Sequence, residues 1–223
     1  MTLACHATAA WADVGTSITV VSDDRFRGRS FSHGHPVATL SLSYDDMSGL
    51  YVAGAVDAVM TPSAPELLSV HANLGYAWKL PSGTVVDVGL VRSDYTQYYR
   101  GGTKAHYTEA YAGIVTDHVS AHLHYSPDYF RSGVSTLYTD VDAVARPAPN
   151  WRLTGHVGVL LQIAGPQPSD GDSTHYDWRL GIARRAGPFD LQVAWSGGGP
   201  DEDYYEGRYH GQSAVTVGAS YTF

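Results

Sequence analysis

The sequence predicts an all-β fold: a transmembrane antiparallel up-and-down β-barrel of about 12 strands, with short periplasmic turns and longer extracellular loops. Three observations carry that expectation. Apolar and polar residues alternate with a period of two along most of the chain. The connections between alternating segments are short and long by turns. Only 16% of the 223 residues are charged, yet mean hydropathy is −0.18, so bulk apolar residues have not replaced the missing charge.

Sixteen Tyr and 24 Gly, with many Ser, Thr and Ala, fill that gap. Two Lys stand against twelve Arg, and eighteen Asp against four Glu. Such a chain is poor in helix formers and rich in strand and turn formers. The net charge of −8 excludes a nucleic-acid partner, because no basic stripe is present to neutralise phosphates. The longest aliphatic run, near 157–161, falls far short of the roughly 20 residues a spanning helix needs. A single cysteine, Cys5, excludes a disulfide framework, a CxxC redox pair and a cysteine-based zinc site. No cofactor is expected.

Residues 1–12 end in Ala10-Trp11-Ala12, which offers small residues at the −3 and −1 positions a signal peptidase accepts. The basic n-region is missing and the apolar h-region is short, so 1–12 is expected to be the remnant of a signal peptide or a disordered N-terminus. Residues 13–223 are expected to form a single barrel.

Twelve alternating segments follow, at about 17–28, 36–45, 49–60, 66–79, 84–93, 105–115, 118–127, 134–146, 150–163, 174–185, 188–197 and 211–223. In the fourth, Leu68, Val70, Ala72, Leu74 and Tyr76 oppose Ser69, His71, Asn73 and Gly75. In the seventh, Val119, Ala121, Leu123 and Tyr125 oppose His118, Ser120, His122 and His124. The ninth sets Trp151, Leu153, Val157 and Val159 against Arg152, Thr154, His156 and Gly158. The last is the clearest: Val215, Val217, Ala219, Tyr221 and Phe223 against Ala214, Thr216, Gly218, Ser220 and Thr222. Tight turns at 45–49, 81–83, 116–117, 147–149 and 186–188 alternate with longer polar connections at 29–35, 61–65, 94–104, 128–133, 164–173 and 198–210.

The two faces choose the solvent. One carries Val, Leu, Ala, Trp and Tyr; the other carries the acids, arginines and histidines. A soluble barrel of twelve strands would have to fill a wide lumen with small Val and Ala side chains. If the apolar face meets lipid, the lumen is polar and wet, and closure leaves no backbone edge unsatisfied. Aromatics at segment ends, Tyr44, Tyr51, Tyr76, Tyr125, Trp151, Trp178, Phe189, Trp195 and Tyr221, then sit where interfacial girdles belong. The alternative is a soluble two-sheet sandwich with polar outer faces.

The run Val21-Ser22-Asp23-Asp24-Arg25-Phe26-Arg27-Gly28, followed by Ser30 and Pro36, resembles the opening motif of the proteobacterial TorF-type porin family. Supporting likeness appears at Tyr125-Ser126-Pro127-Asp128-Tyr129-Phe130, at Tyr176-Asp177-Trp178 and at Phe189-Asp190-Leu191, so it spans most of residues 13–223. Asp24 replaces the family's usual aromatic and Phe31 a usual polar residue. The resemblance implies an outer-membrane barrel with a channel role and supplies no substrate or catalytic residue. The terminal Phe223 after an alternating strand resembles the signal read by the barrel-assembly machinery, the expected partner alongside outer-membrane lipid and small polar solutes.

Arg25 and Arg27 are expected to share one face of the first strand with Asp23. With Asp57, Asp87, Glu109, Asp140, Asp142, Arg152, Asp177, Arg179 and Asp190 they form the candidate lumen lining, eight acids against four arginines. This set reads either as a charge filter favouring cations or as an ion-pair lattice that fills the barrel. His118, His122 and His124, joined by His71 and His156, read as wet lumen fillers or as ligands for zinc, nickel or copper; His33 and His35 pose the same choice. The acidic stretch at Asp201, Glu202 and Asp203 reads as a solvated loop or a loose calcium site. No Gly-x-Ser-x-Gly turn appears, and no enzyme is expected, although lipid hydrolases occur among twelve-stranded barrels. The expected function is passive diffusion of small polar solutes or ions across the bacterial outer membrane, selected by lumen size and charge. The alternative is a closed, plugged barrel acting as a structural or surface-interaction protein.

Overall fold

The computed structural model describes residues 13–99, 103–166, 172–200, 203–205, 208–210 and 213–223. Strands dominate because β-branched and aromatic residues alternate with small polar ones, and each outward side chain packs beside its cross-strand neighbours. Twelve strands close into one antiparallel barrel. They are β1 Asp13–Val21, β2 Val37–Asp45, β3 Leu50–Met60, β4 Pro65–Lys79, β5 Val85–Tyr99 and β6 Thr103–Val115. They continue as β7 Val119–Ser126, β8 Ser135–Ala145, β9 Trp151–Ala164, β10 Thr174–Ala186, β11 Phe189–Gly199 and β12 Ser213–Thr222. Each strand pairs with its sequence neighbours, and β1 closes the ring on β12 through pairs such as Ile18 with Tyr221. All 12 expected segments are therefore strands of one sheet. Two short hairpins lie outside the barrel order: Arg25–Phe26 with Arg29–Ser30, and Asp203–Tyr205 with Arg208–His210.

The register fixes which residues face out. Val14, Ile18 and Val20 on β1, Leu40 and Leu42 on β2, Leu191, Val193 and Trp195 on β11, and Val215 and Val217 on β12 are all exposed. They make a continuous apolar outer surface, the reverse of a water-soluble protein. Aromatics rim it at both ends. Tyr44, Tyr76, Trp78, Trp151 and Phe189 lie towards the short turns; Tyr125, Tyr176 and Trp195 lie towards the loops. Trp178 and Trp195 meet edge to face at 4.5 Å on the outer surface. One stretch breaks the belt: Arg92 and Asp94, side by side on the outer face of β5, form an ion pair of 2.8 Å, with Arg92 donating to Thr108 Oγ1 on β6.

Three sequence expectations need correction. The first strand ends at Val21, not at residue 28. From Ser22 the chain leaves the sheet, turns with Arg27 and Gly28 at positive φ (47° and 80°), and returns at Val37. Arg25 and Arg27 therefore do not share a strand face. Tyr51 is no girdle residue; its parity on β3 turns it inward, where it donates to Asp87. A register shift on β3 at Asp57/Ala58 pairs Ala58 with Leu67, so Leu67 is outward and Leu68 is 2% exposed inside. Leu68 packs there with Val37, Val59 and Val21, where the departing segment meets the wall. Residues 1–12, Asp201 and Glu202 lie outside the described residues.

Candidate functional site: the barrel lumen

The nine strand residues expected to line the lumen all carry inward parity: Asp57, Asp87, Glu109, Asp140, Asp142, Arg152, Asp177, Arg179 and Asp190. Among them Asp57, Glu109, Asp140 and Asp177 are buried. Buried carboxylates persist only where donors surround them, and each of these has such partners.

The segment 22–36 folds into the barrel mouth. Asp23 organises it, accepting from Ser30 Oγ at 2.5 Å, Ser32 Oγ at 2.9 Å, the Gly34 amide at 3.2 Å and Arg25 at 3.3 Å. Arg25 also donates to the Gly28 carbonyl at 2.5 Å, which closes the small hairpin. Arg27 crosses the lumen to Glu109 on β6 and meets it bidentately, both N–O distances being 2.8 Å. Its guanidinium lies 3.8 Å from the centre of the Tyr138 ring and 4.8 Å from that of Phe26. Burial opposes that charge, but the Glu109 carboxylate, paired with it, offsets the penalty, and the Arg27 pKa stays well above the usual arginine value. Phe31, 4% exposed, packs with Tyr95, Ala105 and Tyr107, and with Phe130 from the loop after β7. On the opposite wall Gly28 lies against Gly197 and Gly198 of β11; a Cβ on Gly28 would come within 2.8 Å of the Gly198 Cα. The segment thus bridges the lumen from wall to wall. Asp24, within it, is pushed up to about 6, chiefly by burial and then by the neighbouring Asp57.

Below the segment a lattice runs round the wall from β2 to β10. Asp57 accepts from Thr39 Oγ1 at 2.6 Å, Ser69 Oγ at 2.5 Å and His71 Nε2 at 2.9 Å. Asp87 accepts from Tyr51, whose hydroxyl also meets that of Tyr111. His124 Nε2 reaches Asp140 Oδ2 at 3.0 Å, and His122 lies between Asp87 and Asp140 at 3.8 and 3.7 Å. His156 sits between Asp142, 3.0 Å from Nδ1, and Asp177, 2.9 Å from Nε2. At the turn end Arg152 pairs with Asp190 at 2.8 Å. His118 is not part of this array: it precedes β7 and is exposed.

The lattice also uses residues that sequence reasoning passed over. Tyr138 donates to Asp177 at 3.1 Å and lies 3.0 Å from His156 Nε2. Its parity with Asp140 and Asp142 was the available signal. Gly158, opposite Asp140, is required by this contact, because a Cβ would come within 2.6 Å of the Tyr138 ring and 2.7 Å of Asp177 Oδ2.

Residues 6–223 match a family described as bacterial protein of unknown function, Gcw_chp. The chain belongs to that family. No curated protein matches it. Among solved structures, the NanC porin superposes with a TM-score of 0.62 at 11% identity, over 94% of this chain and 99% of that one. The KdgM porin in complex with disordered oligogalacturonate gives 0.55 at 13% identity, over 94% and 99%. An outer-membrane channel from Pseudomonas putida F1 gives 0.55 at 11% identity, over 97% and 96%. At such identities the likeness is one of fold: the closed antiparallel barrel is shared with outer-membrane porins.

Proposed function

We propose that this Gcw_chp protein is an outer-membrane porin-like channel for passive diffusion of small polar solutes or ions, narrowed by the segment 22–36. One observation carries the reading: a closed barrel presents an aliphatic surface outside and ionisable side chains inside. That arrangement suits lipid around it and water within it. The porin folds it resembles support the same reading, as does the TorF-like run at 21–28, whose residues build the mouth. In this reading the last strand, followed by Phe223, is the one offered to the barrel-assembly machinery.

Selection follows from the lining. Among the lining residues on the strands seven acids face Arg152 and Arg179; at the turn-end rim Arg185 shares the inward parity, as do the acids Asp13 and Asp45, while Arg27 is committed to Glu109. Net negative potential in a narrow, low-dielectric passage favours cations and disfavours anions. No catalytic role is assigned to any lumen residue.

The inward segment favours a second reading, a barrel closed at its mouth. Single-channel recording of refolded protein in planar bilayers separates them. Stepwise conductance with preference for K⁺ over Cl⁻ is expected. Silence both from the intact protein and from a variant lacking residues 24–34 would leave only the closed barrel.

A further inference from the structure

We propose that Asp140, Asp142 and His156 form a binding site for a divalent transition-metal ion of the zinc type. Asp142 and His156 are direct partners across β8 and β9, and Asp140 is two residues further along β8 on the same inward face. One ligand atom from each lies within 4.8 Å of those of the other two. Two carboxylate oxygens and one imidazole nitrogen are a ligand set for zinc and its neighbours. Calcium and magnesium instead take oxygen donors alone.

The surroundings hold these ligands in the attitude a metal requires. A ligating imidazole donates its second N–H to a carboxylate, which fixes the tautomer and strengthens the metal bond. His156 Nε2 faces Asp177 at 2.9 Å, and Asp177 is in turn held by the Tyr138 hydroxyl at 3.1 Å. Nδ1 is thereby turned to the Asp142 side, where it lies 3.0 Å from Oδ1. Asp140 is anchored through Oδ2 by His124, leaving Oδ1 with His122 at 3.7 Å. Three carboxylates, Asp140, Asp142 and Asp177, surround one imidazole, and a dication would neutralise them where a shared proton does so only in part. Arg179 is the register partner of His156 on β10 and is the cation to be accommodated beside it.

Access comes from the turn end. Asp142 lies three residues from the end of β8 at Ala145, whereas Tyr138, nearer the loops, is covered by Arg27. On binding, Nδ1 of neutral His156 donates its lone pair to the metal, and any proton it carried leaves to solvent. The site depends on the barrel register and stands whether or not the barrel conducts.

The test is isothermal titration of refolded protein without a histidine tag, using ZnCl₂ and, separately, CaCl₂. One zinc site is expected, absent in Asp142→Asn and His156→Ala. It should be weakened about 10- to 100-fold in Asp177→Asn, which touches the second nitrogen and Tyr138 but not Nδ1. His71→Ala, which removes an imidazole equally bound to a carboxylate at Asp57, should leave it unchanged. Zinc-edge absorption should show one imidazole with oxygens at about 2.0–2.2 Å. Gel mobility without heating verifies that each variant is folded, and Asp142→Asn, which keeps the side-chain shape, carries the test if His156→Ala does not fold. No zinc binding, zinc binding retained in Asp142→Asn, displacement by calcium, or a shell of oxygen alone overturns the proposal.

Discussion

The lumen has two unlike walls. From Thr39 on β2 round to Asp177 on β10, large polar side chains stand at inward positions among small ones, and the lattice residues are held by their neighbours. On β11, β12 and β1 the inward positions are mostly small: Ala194, Ser196, Gly198, Thr216, Gly218 and Ser220 are typical, with Asp190 and Asp13 the charges at the turn-end rim. Both walls obey the same alternation. What differs is side-chain volume and commitment. The first wall spends its donors and acceptors on itself, so its charges act as a fixed field. The second leaves room, and in the proposed channel it is the side along which solute passes.

The sharpest way to break this contrast is to remove what joins the walls. A variant lacking residues 24–34 should raise single-channel conductance severalfold; unchanged conductance would mean the segment is not the constriction. Next is Arg27→Ala. It strands Glu109, which is 3% exposed, and removing one partner of a buried pair costs about 3–5 kcal/mol. Thermal unfolding should move to lower temperature, and reversal potentials should show stronger cation preference in whatever folds. A smaller effect is expected from Thr216→Arg on the open wall. It adds bulk and positive charge facing the lumen, and should lower both conductance and K⁺ preference without disturbing the lattice.

The smallest effect concerns pH. Asp24 is raised from 3.8 to about 6, so the folded segment binds a proton more tightly than the unfolded chain does. Its contribution is fully present below about 4 and is lost as pH rises through about 6, with no further change above that. Asp23, Asp57 and His71 share its surroundings. Docking of the segment, followed by limited proteolysis between pH 4 and 7, should loosen across that window. Asp24→Asn should flatten the dependence.

Much of this architecture was legible in the sequence because alternation is a local property. Nine lining residues could be placed inward by counting in twos within each strand from that strand's own apolar residues, as Asp190 from Leu191 or Asp140 from Val141, and the closed register of the strands preserved that parity. The segment 22–36 was not legible for the same reason. Arg25, Phe26 and Arg27 alternate as strand residues do, and only the positive φ at Arg27 and a partner 82 residues away at Glu109 reveal the turn inward. Leu68 misled because one register shift reverses the facing of everything beyond it. Tyr51 looked like a girdle residue because a tyrosine at a strand end suits either a lipid interface or an interior hydroxyl contact, and only Asp87 decides between them. The pairing of Asp142 with His156 needed the β8–β9 register, which composition does not encode.

The outward ion pair of Arg92 and Asp94 sets a waterline. Charged side chains do not face hydrocarbon at low cost, so in the proposed outer-membrane setting the lipid ends below them on that side of the barrel. The ends of β5 and β6 beyond it rise as a parapet over the bilayer, at about 3.4 Å per residue along the strand. The mouth is therefore lopsided. In that setting, a molecule approaching from the loop side meets this raised lip before it meets the segment that narrows the opening.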